Sequence, residues 1–357
     1  MLKLSFEKAQ ADAQKMEKLM GENTARDYKE ADILVELDDK KAELADAQDT
    51  IEWLNNKHEE LIDEFKKMLI ESTTGLKRRE MLYKDMEEKI SNLFGIENIN
   101  DVSDEEVIAL VKSKNPIDFK NEPLYVMLGD MSYLSLANEG GHSQGDELLG
   151  ETGKAIKNEF TDASRHGGDE FTTLILLQKK VAEEKVAKLE EDIQKMKNIS
   201  ELGRFGLKPN MDIGIAHFSE SLKAFQEIIL IMEKTDAGKE KLAKLDALKE
   251  MQNIWLEIAD KRSTLKKAMT RIPLLLGKKE KNPEEYKELY KFLNKGAYGI
   301  EAEDLEEIGT KIKNGANPEE VIFEYIKKME LLNLKKKSGY EKAKEEVIIR
   351  TADDRIL

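Results

Sequence analysis

The chain has 357 residues, 37% of them charged and 40% hydrophobic, with a formal charge of −15 and no cysteine. The excess of acid argues against nonspecific binding to nucleic acid or anionic membranes, which attract cationic surfaces. Without cysteine there is no disulfide, thiolate metal site or cysteine nucleophile, which fits a reducing cytoplasm.

No run of about 18 or more apolar residues occurs, and the opening Met1-Leu2-Lys3-Leu4-Ser5-Phe6 is no signal peptide, so no membrane span and a cytoplasmic location are expected. The length allows two or three compact units. Residues 1–70 read as a helical segment rich in Glu, Lys, Asp, Ala and Leu. Leu37, Leu44, Ile51, His58 and Phe65 recur at one heptad position, and Ala47, Leu54, Leu61 and Met68 recur three residues later. That repeat predicts a coiled coil or helical hairpin, either self-associating or packed on its own domain, with His58 as a polar register residue. Gly21-Glu22-Asn23-Thr24 is a candidate helix break.

Residues 71–245 read as one domain. A helix over 77–94 precedes an insert at about 95–120, in which Ser103-Asp104-Glu105-Glu106 is a capping box opening a short helix through Val111. A strand over 123–130 ends at Gly129-Asp130, and a loop over 131–143 leads to a helix over 144–163. A hairpin over 164–178, a helix over 179–198, a strand over 211–218 and a helix over about 219–236 follow. From 246 to 357 the pattern is helical: Leu242, Leu245, Leu248, Met251, Trp255 and Ile258 form an amphipathic stripe that Pro273 should end. Further helices are expected at 282–294, 301–314 and 317–332, the second opened by Gly299 to Glu303, and Lys335-Lys336-Lys337 reads as a solvated helix end. The default role of this region is an accessory bundle for a protein partner, regulation or simple buttressing.

The run Arg165-His166-Gly167-Gly168-Asp169-Glu170-Phe171 is the most informative stretch. Glycine lets backbone approach a ligand closely. The adjacent acids can collect magnesium, which binds through one or two carboxylates plus substrate phosphates. Upstream stand the strand's Asp130, then Asn138, then Gly141-His142-Ser143-Gln144-Gly145-Asp146. With Glu71-Ser72-Thr73-Thr74-Gly75-Leu76-Lys77-Arg78-Arg79 before them and Met211-Asp212-Ile213-Gly214-Ile215-Ala216 after, these elements resemble, in order, those of a GGDEF domain, the catalytic module of diguanylate cyclases. The resemblance covers about residues 71 to 245. It implies an α+β fold: a nucleotidyl-cyclase-like palm of βαββαβ type with a mostly antiparallel sheet, flanked by the N-terminal helix and the C-terminal helical region.

The resemblance further implies that two GTP molecules are condensed to cyclic di-GMP in a homodimer, each 3′-hydroxyl attacking the other nucleotide's α-phosphate with Mg²⁺ or Mn²⁺ assisting. Asp130 and Asp169 would ligate metal, with Glu170 assisting the metal or the hydroxyl. Asn138 and Asp146 would read guanine, Gly167 and Gly168 would lie against the nucleotide, and Lys241 or Lys244 would meet phosphate. His142 would shape its loop, and His166 and His217 would be structural.

Departures from the family pattern are plain. Where Asp-x-Asp-x-Phe-Lys is usual, the chain has Asp130-Met131-Ser132-Tyr133-Leu134-Ser135, without the phosphate-neutralising lysine. Arg78 replaces the asparagine of the early element, and the segment from Asn138 to His142 is one residue short. Asn158 and Thr161 stand where the family's feedback Arg-x-x-Asp would be, so product inhibition there is not expected. The alternative is a catalytically degenerate domain that binds GTP or a cyclic dinucleotide as a signalling or scaffold module. A third reading is a related palm making cyclic oligonucleotides.

Overall fold

The computed structural model describes residues 2–21, 27–197, 200–293 and 300–353, in two compact units, Met1–Leu69 and Ile70–Leu357. In the first, helices α1 (Leu2–Gly21) and α2 (Asp27–Leu69) pack on one another. The expected break at Gly21 to Thr24 lies, from residue 22 onward, outside the described residues. Leu37 is buried, and Leu44, Ala47 and Ile51 are partly covered. Leu54, Leu61, Phe65 and Met68 continue the same seam but are exposed. At about 1.5 Å per residue, α1 is too short to shadow more than about half of α2. No helix among the described residues is long and apolar enough to cross a membrane.

The second unit is built on a five-stranded sheet in the order β1-β3-β4-β2-β5. In chain order it contains β1 (Lys77–Arg78), α3 (Arg79–Phe94), α4 (Asp104–Ser113), β2 (Tyr125–Ser132), α5 (Leu134–Ala137), α6 (His142–Glu159), β3 (Ala163–Arg165), β4 (Glu170–Ile175), α7 (Lys179–Gln194), α8 (Ser200–Arg204), β5 (Asn210–His217), α9 (Phe218–Met232) and α10 (Asp236–Leu242). Beyond these come α11 (Ala247–Lys281), α12 (Pro283–Leu293), α13 (Ala302–Lys313), α14 (Pro318–Leu334) and α15 (Gly339–Asp353). Only the two-residue β1 pairs in parallel; β2 is flanked by antiparallel β4 and β5. The chain is thus the α+β palm that its pattern implied. Ser103 caps α4 in the expected capping box. His217 caps α9, its Nδ1 accepting from the Ser219 amide at 3.2 Å.

Alternation along the strands sends side chains to two cores. Met127, Met131, Phe171 and Ile213 meet α6 and α7 on one face, while Val126, Leu128, Leu174 and Ala216 meet α3, α9 and α11 on the other. Helix α11 overturns one expectation. It runs through Pro273 to Lys281, because Ala268, Ile272 and Leu275 are buried on both sides of that residue and their packing offsets a lost backbone hydrogen bond. Its first half belongs to one core and its second half to the other, so residues 70–357 form one unit.

The helix is seated directly on β5. The Trp255 indole donates to the Ala216 carbonyl at 2.9 Å, the Ser263 hydroxyl to the Asp212 carbonyl at 2.6 Å and the Arg262 guanidinium to the Ile215 carbonyl at 2.6 Å. Gly214 makes this approach possible: a Cβ there would fall on the Ala259 carbonyl and 2.5 Å from the Ser263 amide. Gly214→Ala should therefore destabilise the protein by about 1–3 kcal/mol or more, read as a lower urea midpoint. An unchanged midpoint would mean that α11 does not rest there.

Candidate active site

The hairpin between β3 and β4 is held from its first residue. Arg165 donates from Nε to the Gly167 carbonyl at 3.2 Å and from Nη2 to the Gly168 carbonyl at 2.7 Å, while Nη1 pairs with Glu71 at 3.1 Å. Glu71 in turn closes its own turn, accepting from the Thr73 and Thr74 amides at 3.1 and 2.8 Å and from the Thr74 hydroxyl at 2.7 Å. Burial works to raise this carboxyl's pKa. The Thr74 hydroxyl, the two amides and Arg165 more than offset it, and the pKa falls to about 2. Helix α6 rests on the same turn at Gly153, where a Cβ would come within 2.6 Å of the Thr74 carbonyl. The early Glu71–Arg79 element is thus the brace of the hairpin. At Gly167 a side chain would meet Glu170 Oε2 at 2.7 Å, whereas a Cβ at Gly168 would meet nothing.

Register brings the acids together. Asp130 lies directly opposite Glu170 on β4 and opposite Asp212 on β5, so three carboxylates share one face in a row. Asp169 stands at the row's end, its carbonyl accepting from the Met131 amide at 2.8 Å. Burial, then the charge of Asp130, raises the Asp169 pKa; burial, then Asp260 of α11, then Asp130 and Asp169, raises that of Glu170. Asp212 is also raised by burial, against the Ser132 hydroxyl that donates to it. The counter-charges come from α11. Lys267 Nζ meets Asp130 Oδ1 at 2.6 Å, and Arg271, one turn on, lies in the fields of Asp212, Asp130 and Asp169.

On the other side of the β2 end, Tyr133 is a buried aromatic residue in the left-handed region, with φ 71°. It turns the chain into α5 and onward to Asn138. The Asn138 amide oxygen occupies the place of a Cβ on Gly145, so the asparagine lies against the residue before Asp146. Asp146 itself, the next residue along α6, is exposed. Gln144 is tied to the Gly140 carbonyl at 3.0 Å and to the Ser200 hydroxyl at 3.1 Å, which draws α8 to this side.

The two lysines expected at the phosphates do not reach the acids. Lys241 lies over the Tyr340 ring and Lys244 pairs with Glu240 at 2.6 Å, whereas Lys267 and Arg271 come to the cluster instead. Their four-residue spacing puts both on one helix face, a signal visible in the sequence but set within a stretch read as a separate region. Ser135 is exposed and neutral. Among the described residues no three metal-ligating side chains are grouped to hold one ion. Asp130, Asp169 and Glu170 are thus not a ready-made three-ligand site. Oxygen donors from two carboxylates, completed by substrate phosphates, suit magnesium.

Residues 110–238 match the family model described as diguanylate cyclase, GGDEF domain. Among curated proteins, none matches the chain. The solved structures to which it is similar include a sensory box/GGDEF family protein from Caulobacter crescentus CB15, at 24% identity over 42% of this chain and 82% of that one, TM-score 0.30. Another is the coiled coil and GGDEF domain of DgcB from Caulobacter crescentus in complex with c-di-GMP, at 15% identity over 54% and 93%, TM-score 0.35. A third is the FimX GGDEF domain from Pseudomonas aeruginosa, at 18% identity over 42% and 78%, TM-score 0.29. The family match ends before α11, so Lys267 and Arg271 lie outside it.

The brace makes a pH prediction. A carboxyl depressed on folding contributes stability above its unfolded pKa and loses it as pH falls through the folded value. At neutral pH Glu71→Gln should melt below the unaltered protein, and the gap should close as pH falls from about 4.5 to about 2. A gap independent of pH would mean that Glu71 acts without its charge.

Proposed function

We propose that this protein is a diguanylate cyclase that condenses two GTP molecules into cyclic di-GMP, a reading supported by the match of residues 110–238 to the GGDEF family model. The observation that carries this reading is that Asp130 lies opposite Glu170 and beside Asp169 in the sheet, bonded to Lys267 of α11 and in the field of Arg271. Phosphoryl transfer needs positioning and charge neutralisation more than covalent chemistry. Lys267 and Arg271 would hold the triphosphate, with Lys267 exchanging its bond to Asp130 for phosphate oxygens. A divalent ion bound at Asp130 and Asp169 would polarise the α-phosphate and acidify the attacking hydroxyl.

Glu170, whose pKa is raised by burial and neighbouring acids, is suited to take the 3′-hydroxyl proton. The 3′-oxygen bonds to the α-phosphorus of the other nucleotide, and pyrophosphate leaves with the electrons of the broken P–O bond. Asn138 and Asp146 would read the guanine edge, since a wrong base leaves paired polar groups unsatisfied. Each domain holds one nucleotide, so two must face one another. The exposed seam Leu54, Leu61, Phe65 and Met68 offers the N-terminal unit as the site of homodimerisation.

Purified protein with GTP and Mg²⁺ or Mn²⁺ should yield cyclic di-GMP by chromatography, and Asp169→Ala should remove at least about 99% of it, more than 2.7 kcal/mol in barrier terms. If no product forms while GTP still raises the melting temperature, the domain is a binding module. A fragment of residues 70–357 should sediment as a monomer where the full chain is a dimer. An unchanged association state would take the N-terminal helices out of the mechanism.

A further inference from the structure

The carboxylate with least exposure in the site, Asp212 at 1%, has no place in the proposed chemistry: it is too enclosed to meet a nucleotide. Its position is nonetheless specific. The Ser132 hydroxyl donates to its Oδ2 and the Asn210 amide to its Oδ1 at 3.1 Å, while Ser263 of α11 holds its backbone carbonyl. Ser132 is the last residue of β2 and its register partner is Asn210, so Asp212 reaches diagonally from its own rung, opposite Asp130, to the last rung of the β2–β5 ladder.

The next residue, Tyr133, carries a left-handed backbone that a bulky side chain rarely adopts, at a typical cost of about 1–3 kcal/mol. Such a conformation persists only when its surroundings over-determine it. Here the strained turn divides the site, with Asp130 two residues before Ser132 and Asn138 five residues after Tyr133. A carboxylate–hydroxyl pair thus joins the two strands at the foot of this turn.

We propose that Asp212 is a positioning residue: through Ser132 it pins the end of β2 and fixes the turn at Tyr133 that sets Asn138 relative to Asp130. This deepens the nucleotide reading and rests on it. Asp212 touches neither metal nor substrate, and holds the base-reading side of the site in register with the phosphate side.

The test is a cycle of Asp212→Ser, Ser132→Asp and both together, with affinity for a fluorescent GTP analogue in Mg²⁺ read well below the melting temperature and melting read separately. Each single change should weaken nucleotide binding at least tenfold. Asp212→Ser removes the acid, and Ser132→Asp sets two enclosed acids against each other. The double variant should regain most of the affinity and of the melting temperature. As a reference, Ser103→Ala removes the distant cap of α4 and should lower the melting temperature with affinity unchanged. Additive losses in the double variant would overturn the proposal, as would unaltered affinity in Asp212→Ser. If the unaltered protein binds no GTP, the nucleotide reading falls instead. The melting cycle then still judges the pair, and additivity there overturns it.

Discussion

Asp130 has an acid opposite it on both neighbouring strands, and like charges directly opposed on one face of a sheet repel. The rest of the site depends on how that repulsion is met. Glu170 turns back over the glycine turn, Asp212 is enclosed by hydroxyl and amide donors, and Asp130 takes the ammonium of Lys267. The last of these comes from outside the palm's own strands and hairpin. That is why α11, remote in sequence, must be seated on β5 for the acids to coexist.

Much of this was legible in the chain. The hairpin Arg165–Phe171, the strand ending in Asp130 and the capping box at Ser103 are local patterns, and local patterns survive folding with their boundaries moved by a residue or two. What stayed hidden was tertiary. Pro273 is a helix breaker by propensity, yet Ile272 and Leu275 are buried beside it and packing prevails. Lys241 and Lys244 follow the family's late signature in order but sit by α15 and Glu240. The sequence between β5 and α11 holds α9 and α10, and no periodicity tells which of two later helices will turn its lysines to the acids.

The Lys267–Asp130 pair also sets a threshold for ligand entry. Both side chains are about four-fifths covered, at 21% and 19% exposure, so the contact lies between exposed pairs worth at most about 1 kcal/mol and buried ones whose breakage costs about 3–5. A lone cation approaching Asp130 must displace an ammonium that then has nowhere as good to go. On the proposed reading, a nucleotide triphosphate arriving with its metal would supply both replacements at once, cation for Asp130 and phosphate for Lys267. Such an arrangement would favour the metal–nucleotide complex over either component.

Such an exchange requires that α11 hold its axial position when Lys267 lets go. One turn of sliding, about 5.4 Å, would bring Ser263 or Arg271 opposite Asp130 instead. Helix α15 supplies the restraint: Lys344 is buried between Glu250 at 2.8 Å and Glu257 at 2.6 Å, and the Tyr340 hydroxyl donates to Glu250 at 2.7 Å. From the other side Glu220 of α9 takes the Arg262 guanidinium in two bonds, at 2.7 and 2.9 Å. Buried ion pairs add little net stability over apolar packing, but they penalise every register that breaks them. The register that α15 and α9 impose on α11 thus decides which of its side chains meets the acids.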